Sequence, residues 1–295
     1  MRRAGGLSRI RKKVYSVIGK DQNNASFLFT GADMDNLAIE HARFRDMEVY
    51  ALVTAGVKSN AVRMSADTGR FYELGTINII ILPNMELTPR AVTRAIISAT
   101  EAKTAALEDL DIRSSQTPAL NQAMGTGTDN IIVVHGTGVP IDNAGGHSKM
   151  GELIATALYH GVKDAIYKQN GIVGNRDIFQ RLKERKINIF GLIDCAAIDS
   201  HTSKRELLEQ VEEILLDPHY ASFLESAMAL GDAYERGLVR DLVEYRDWCR
   251  NVASEICGKR VDMLGKLVPS DQIPLVLRVS LNAILHGAYL RVNNR

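Results

Sequence analysis

The chain has 295 residues, 45% hydrophobic and 24% charged, with a formal net charge of +1. That length holds one large domain or two ordinary ones, each with a full core, and the composition is that of a soluble globular protein. So balanced a charge gives no electrostatic reason to expect nucleic acid as a partner, and no apolar run reaches transmembrane length, so no membrane partner is expected. The three cysteines, Cys195, Cys249 and Cys257, lie in the second half. An odd number without a framework indicates reduced thiols and a cytoplasmic setting.

The N-terminus is basic at Arg2, Arg3, Arg9, Arg11, Lys12 and Lys13, with no apolar stretch behind it, so a secretory signal is not expected. The spacing predicts a solvated amphipathic helix with Leu7, Ile10, Val14 and Val17 inward. Ser26 to Thr30 reads as a short strand. Met47 to Thr54 reads as another, ending in the small residues Ala55-Gly56 and in Lys58-Ser59-Asn60, where backbone can approach a ligand. Arg70 to Glu73 and Thr76 to Leu82 flank Gly75 as a hairpin. Ile79-Ile80-Ile81-Leu82 is apolar throughout and so is expected to be covered on both faces.

Thr88 and Pro89 start a helix as N-cap and first helical residue. Its buried face is marked by Val92, Ala95, Ile96, Ala99, Ala106 and Leu110. At about 100° per residue Lys103 falls inside that stripe, with Glu101 on the opposite side. A lysine there must snorkel, find an anion or shift its pKa, so it is either a structural ion pair or a substrate-facing cation. Arg113 to Ala123 is a polar loop and Ile131 to His135 the next strand. Met150, Leu153, Ile154, Ala157, Leu158, Val162, Ala165 and Ile166 form a helical stripe stopped at Asn170-Gly171. Beyond Val173 the texture changes. Ile187 to Ile193 is read as one more strand. Leu207 to Leu215, Tyr220 to Ile256 with breaks near Gly231 and Gly237, and Pro274 to Leu290 are read as helices. The expected fold is an α/β domain with a layered mixed sheet over residues 1–172, followed by a mostly α-helical module over residues 173–295.

Chemistry concentrates in two turns. Gly125-Thr126-Gly127-Thr128 offers hydroxyls and unhindered N–H groups of the kind that hold a phosphate or an oxyanion. It lacks the ending of a P-loop and the setting of a dinucleotide fingerprint, and a plain structural turn reads the same way. Gly145-Gly146-His147-Ser148-Lys149 puts His147 at a helix N-terminus, where the dipole disfavours the imidazolium. His147 then serves either as a general base or as a capping side chain. Asp129 orients a base, holds a substrate amide or closes an Asx turn. A metal held by His147, Asp129, Asp142 or His135 is a third option, without the close ligand pair that would support it.

Several stretches resemble the adenosylcobinamide amidohydrolase family of corrinoid salvage. They are Phe27-Leu28-Phe29-Thr30-Gly31-Ala32-Asp33-Met34-Asp35-Asn36-Leu37, Thr54-Ala55-Gly56-Val57 with Ser59-Asn60-Ala61, and Gly75-Thr76-Ile77-Asn78-Ile79-Ile80. They continue in Thr100-Glu101-Ala102-Lys103-Thr104-Ala105-Ala106-Leu107, Gly125-Thr126-Gly127-Thr128-Asp129-Asn130 and Gly146-His147-Ser148-Lys149-Met150-Gly151-Glu152-Leu153. Their order is that of the family, across roughly residues 26 to 170, with Ser148 and Met150 where the family usually reads Thr and Leu. The resemblance implies hydrolysis of the amide between the corrin side chain and aminopropanol, giving adenosylcobyric acid and 1-amino-2-propanol. A fainter similarity, over Ile77 to Ile132, is to the self-processing aminopeptidases and ornithine acetyltransferases. It implies an α/β/β/α layering and a hydroxyl nucleophile.

An amide carbonyl needs a nucleophile, a proton shuttle and an oxyanion site. The expected set is Thr126 or Thr128, or a water they hold, as nucleophile, with His147 as shuttle. N–H groups of the Gly-Thr run would form the oxyanion site, with Lys103 and Lys149 as cations. Thr54, Ser59, Asn60, Glu101, Gly125, Gly127, Asp129, Asn130, Gly146 and Lys149 are the expected substrate contacts. No cofactor or metal is expected, the partner is the corrinoid itself, and a homo-oligomer stays open. The rivals are a non-catalytic corrinoid-binding module and a phosphate- or nucleotide-binding enzyme.

Overall fold

A computed structural model describes residues 2–21, 23–68, 74–196, 198–199, 201–268 and 273–294, the side chains of residues 2–5 and 7 excepted. Two compact units emerge: residues 1–61, 69–110 and 124–172 form the first, and 62–68, 111–123 and 173–295 the second.

The first unit is built on a four-stranded mixed sheet in the order β1 (Ala38–Phe44), β2 (Met47–Ala55), β3 (Ile77–Pro83), β4 (Asn130–Val133). β1 and β2 are antiparallel, as are β2 and β3, while β3 and β4 are parallel. Parallel neighbours need a crossover, and helix α2 (Pro89–Asp109) supplies it. Thr88 caps that helix, its Oγ1 accepting from Ala91 N at 3.3 Å, and Pro89 follows at the first turn. Helix α3 (Lys149–Asn170) starts on Ser148, whose Oγ accepts from Gly151 N, and stops at Gly171 with φ 67°. Both ends were legible because a cap hydroxyl and a left-handed glycine are local requirements.

Helices α2 and α3 pack on each other, α3 against β1 and β2, and α2 against β4. Alternation then sorts the strand residues. Ile77, Ile79 and Ile81 are fully buried with Val49, Ala51 and Val53 under the helices, beside Leu107, Ile154, Leu158 and Ile166. Each such valine, leucine or isoleucine side chain stabilises the fold by roughly 1.5–3 kcal/mol relative to an exposed one. The intervening Ile80 and Leu82 are only half-buried, so β3 is covered on one face and not on both. The second stacked sheet of an α/β/β/α arrangement is not among the described elements of this unit.

Other expectations are corrected. Ser26 to Thr30 is not a paired strand, while Ala38–Phe44, missed in the sequence, is the edge strand. Its alternation is interrupted by Glu40 facing the helix side, which hides the pattern. Helix α1 (Arg2–Ile18) forms, but Ile10 and Val17 are 49% and 77% exposed. α1 is held by Tyr15, edge-on to Phe27 at 4.8 Å and donating to Ala25 O, and by Arg11, whose guanidinium lies 5.4 Å over the ring of Phe29. Ile96 of α2 also points outward, 42% exposed. The Arg70–Glu73 arm of the expected hairpin lies outside the described residues.

The second unit is helical: α4 (Ile178–Glu184), α5 (Ile189–Cys195), α6 (Lys204–Leu216), α7 (Pro218–Glu235), α8 (Val243–Cys257) and α9 (Leu275–Asn293). The strand expected at Ile187 to Ile193 is instead the short α5, since a lone strand in a helical unit has no ladder partner. α7 runs through Gly231, and the break comes at Gly237 with φ 73°. Helix α9 packs with α6, α7 and α8 and buries Val276, Leu277, Leu281, Ile284, Leu285 and Ala288. Arg113 joins Asp111 at 3.0 Å and Asp232 at 2.8 Å, and Arg185 joins Asp111 at 3.0 Å. Burial alone would raise the Asp111 pKa, but Arg185 and Arg113 overcome it and hold the carboxyl below its ordinary value. The Cys249 thiol is buried and pushed up to about 11 by that burial, which leaves it unreactive.

Candidate functional site

The polar residues of the first unit gather where β3 and β4 begin. Asp129, in the turn before β4, receives four donors. Lys103 Nζ lies 2.5 Å from its Oδ2 and Thr126 Oγ1 2.5 Å from its Oδ1. Thr126 N follows at 3.1 Å and Ile77 N at 3.0 Å. The lysine on the apolar stripe has therefore found its anion. Lys103 and Asp129 side chains are 10% and 14% exposed, and Thr126 is 6% exposed. Gly125 makes room for the pair, because a Cβ there would stand 2.4 Å from Asp129 Oδ2 and 2.7 Å from Lys103 Nζ. A hydroxyl on a carboxylate that is fixed by a third group has the arrangement of an activated nucleophile.

Around this triplet the chain closes on itself. Gly127 N donates to Asn60 O at 3.2 Å, and Asn60 Nδ2 and Thr128 Oγ1 both donate to Gly75 O, at 2.8 and 2.9 Å. Thr76 Oγ1 donates to Thr128 O at 2.7 Å, and Ser59 Oγ to Leu74 O at 2.5 Å. Asn78 donates to Phe29 O, and Thr54 Oγ1 to Thr30 Oγ1 at 3.4 Å. Thr54 and Asn60 are buried, while Ser59, Gly127, Thr128 and Asn130 are exposed. Since Thr126 N and Gly127 N already have acceptors, those two N–H groups are engaged within the fold. Thr76 and Asn78 belong to this cluster and were missed as site residues. The signal was Asn78, a lone amide inside an apolar strand.

His147, Gly146 and Lys149 lie at the other end of the sheet. Ser98 Oγ of α2 holds Ala144 O, and Lys149 Nζ sits 4.6 Å over the ring of Phe44, the last residue of β1, which runs in the same direction as β3 and β4. The far terminus of α3 returns to the first end, where Asn170 Oδ1 accepts from Val57 N. Twenty-two helical residues separate the two termini of α3, about 33 Å at 1.5 Å per residue. The structure does not bring His147 to the Thr126 cluster, and Glu101 is on the solvent side of α2. Asp142, one of the weighed metal ligands, accepts from Thr88 and Arg90 at the His147 end, away from Asp129. No group of three or more metal-ligating side chains occurs among the described residues.

An α/β unit with a buried hydroxyl–carboxylate–ammonium triplet at one end of its sheet is thus in place when the chain is set beside known proteins. Residues 3–174 match the family model for adenosylcobinamide amidohydrolase, and the chain belongs to that family. It is 43% identical over 178 residues to an uncharacterized protein of Methanocaldococcus jannaschii, covering 54% of this chain and 69% of that one. It is 32% identical over 146 residues to an adenosylcobinamide amidohydrolase of Methanosarcina mazei, covering 46% of this chain and 63% of that one. No solved structure matches. No described helix is long and apolar enough to cross a membrane.

Proposed function

We propose that this protein hydrolyses the amide joining the corrin side arm of adenosylcobinamide to aminopropanol, in cobinamide salvage for cobalamin synthesis. One water is consumed: its hydroxyl ends on the acyl carbon of adenosylcobyric acid and its hydrogen on the nitrogen of 1-amino-2-propanol. The observation that carries this reading, beside the family, is the Thr126–Asp129–Lys103 triplet with both its contacts at 2.5 Å.

In this mechanism Thr126 Oγ1, or a water it holds, adds to the amide carbon. Asp129 takes the proton and gives it to the amine as the C–N bond breaks. Where Thr126 is the nucleophile, a water then cleaves the acyl–Thr126 ester, its hydroxyl going to the acyl carbon and its proton, through Asp129, to Thr126 Oγ1. Lys103 fixes the carboxylate and offsets the negative charge that develops on the carbonyl oxygen, a task that falls to it because the N–H groups of Thr126 and Gly127 are engaged. Exposed Thr128 and Asn130 stand at the rim for the substrate's polar groups. The free cysteines suit a reducing, cytoplasmic setting.

The test is incubation of the purified full chain with adenosylcobinamide and assay for released aminopropanol. Stoichiometric amine and acid are expected. Corrinoid recovered intact, though bound, would leave the non-catalytic binding module as the function.

A further inference from the structure

Beyond the helices, the sheet has a second face. Register places Ile39, Leu52, Ile80 and Ile132 in one row across all four strands. His41, Tyr50 and Leu82 follow in the next row, continued by Val134, whose N–H donates to Ile81 O. Ile39 is 58% exposed, Tyr50 42% and Val134 40%, whereas the helix-facing Ile79 and Ile81 are fully buried. Exposed apolar rows this continuous mark a binding surface more often than chance.

The face has two different ends. At one, the backbone of Phe29 and Thr30 crosses above Asn78 and Thr54, held by Asn78 Nδ2 on Phe29 O, and forms a wall. Exposed Asn130 stands beside it, directly after Asp129 of the reacting triplet. At the other end lie the charged side chains Arg43 and Glu48, 3.6 Å apart, and His41 stacked on Tyr50 at 4.4 Å. Between them the floor carries no formal charge.

We infer that this open face seats the corrin macrocycle, with Leu52, Ile80 and Ile132 as floor and Ile39, Tyr50 and Val134 as margins. This rests on the proposed substrate. Four strands give a surface about 14 Å across at roughly 4.8 Å per gap, broad enough for a flat ring. An uncharged aliphatic floor suits a macrocycle whose periphery carries neutral amides, since it leaves no charge to desolvate. Continuity decides the orientation: a ring on this floor directs one amide arm past Asn130 toward Thr126, and the Phe29–Thr30 wall limits its slide.

The experiment uses the full chain and the variants Ile39→Glu and Val134→Glu, at opposite edges of the sheet and at exposed positions. Binding of adenosylcobinamide is measured by equilibrium dialysis, turnover by amine release, folding by thermal melting and mass by size exclusion. Expected are a Kd and a KM raised at least about tenfold, with kcat within about threefold of the unchanged protein and an unaltered melt. If one variant melts early, the other decides. Unchanged Kd in a folded variant overturns the inference, including the case where the only change is dissociation of a dimer, which would make a second copy the occupant. Wild-type protein that binds the corrinoid but releases no amine would sink the reaction and leave the Kd comparison to decide the seat. Wild-type protein that binds none overturns the seat.

Discussion

Lys103 Nζ stands 2.5 Å from Asp129 Oδ2 across 26 residues of sequence, with both side chains almost out of solvent. The pair ties the middle of α2 to the turn that opens β4. Removing one partner of such a pair leaves a buried charge uncompensated, which typically costs about 3–5 kcal/mol. Lys103→Met is therefore expected to lower the melting temperature and to cut turnover at least about a hundredfold. Asp129→Asn keeps the shape but loses the proton acceptor and leaves the buried Lys103 ammonium without its anion, so its turnover should fall as far, with a loss of stability at least as large. Melts and amine-release rates on the two variants check this, and full activity in Asp129→Asn would remove the carboxylate from the reaction.

Two glycines should respond in opposite ways. A methyl at Gly125 would stand inside the Lys103–Asp129 contact, whereas one at Gly146 meets no atom within 4 Å. Gly125→Ala is expected to lower kcat at least about tenfold, because an ångström of displacement in a reacting group is costly. Gly146→Ala should be indistinguishable from the unchanged chain. Equal loss in both would mean that the two turns serve one site.

Much of this frame was legible locally. Thr88-Pro89, Ser148 and Gly171 announce helix ends through their own backbone chemistry, and Lys103 announced itself as a cation on an apolar stripe. Its partner did not, because the pairing of Lys103 with Asp129 depends on how the β3–α2–β4 crossover folds back. The separation of the two glycine-rich turns was within reach: one precedes and the other follows the same strand, so straight passage through β4 carries them to opposite ends. The open sheet face was hidden by Ile79-Ile80-Ile81-Leu82, since a continuous apolar run looks the same whether its second face is covered by protein or reserved for a ligand.

The position of His147 gives a third prediction. It is exposed, makes no hydrogen bond among the described residues and sits at the α3 N-terminus, at the opposite end of the sheet from Thr126. His147→Ala should leave kcat within about threefold, against the hundredfold or greater loss typical of a general base. A loss of that larger size in a variant with an unchanged melt would return His147 to the reaction and move the site to the Phe44–Lys149 end.

Asp111 supplies the pH dependence. Its folded-state pKa is held below the ordinary carboxylate value by Arg185 and Arg113, against the opposing effect of burial. A depressed carboxyl contributes stability that is fully present above its unfolded-state pKa and is lost as pH falls through the folded one. Thermal melts of the full chain from neutral pH downward should therefore show a steep acid limb below the ordinary range of an aspartate. Asp111→Asn removes one of the two carboxylates that pair with Arg113 and Arg185, the other being Asp232, so it should melt lower at neutral pH, and its deficit should shrink as the medium is acidified through that range. The gap closes because protonation takes from the wild type the same charge that the substitution has already taken from the variant. A deficit that stays constant across the acid limb would show that Asp111 stabilises the helical unit through packing alone, without its charge.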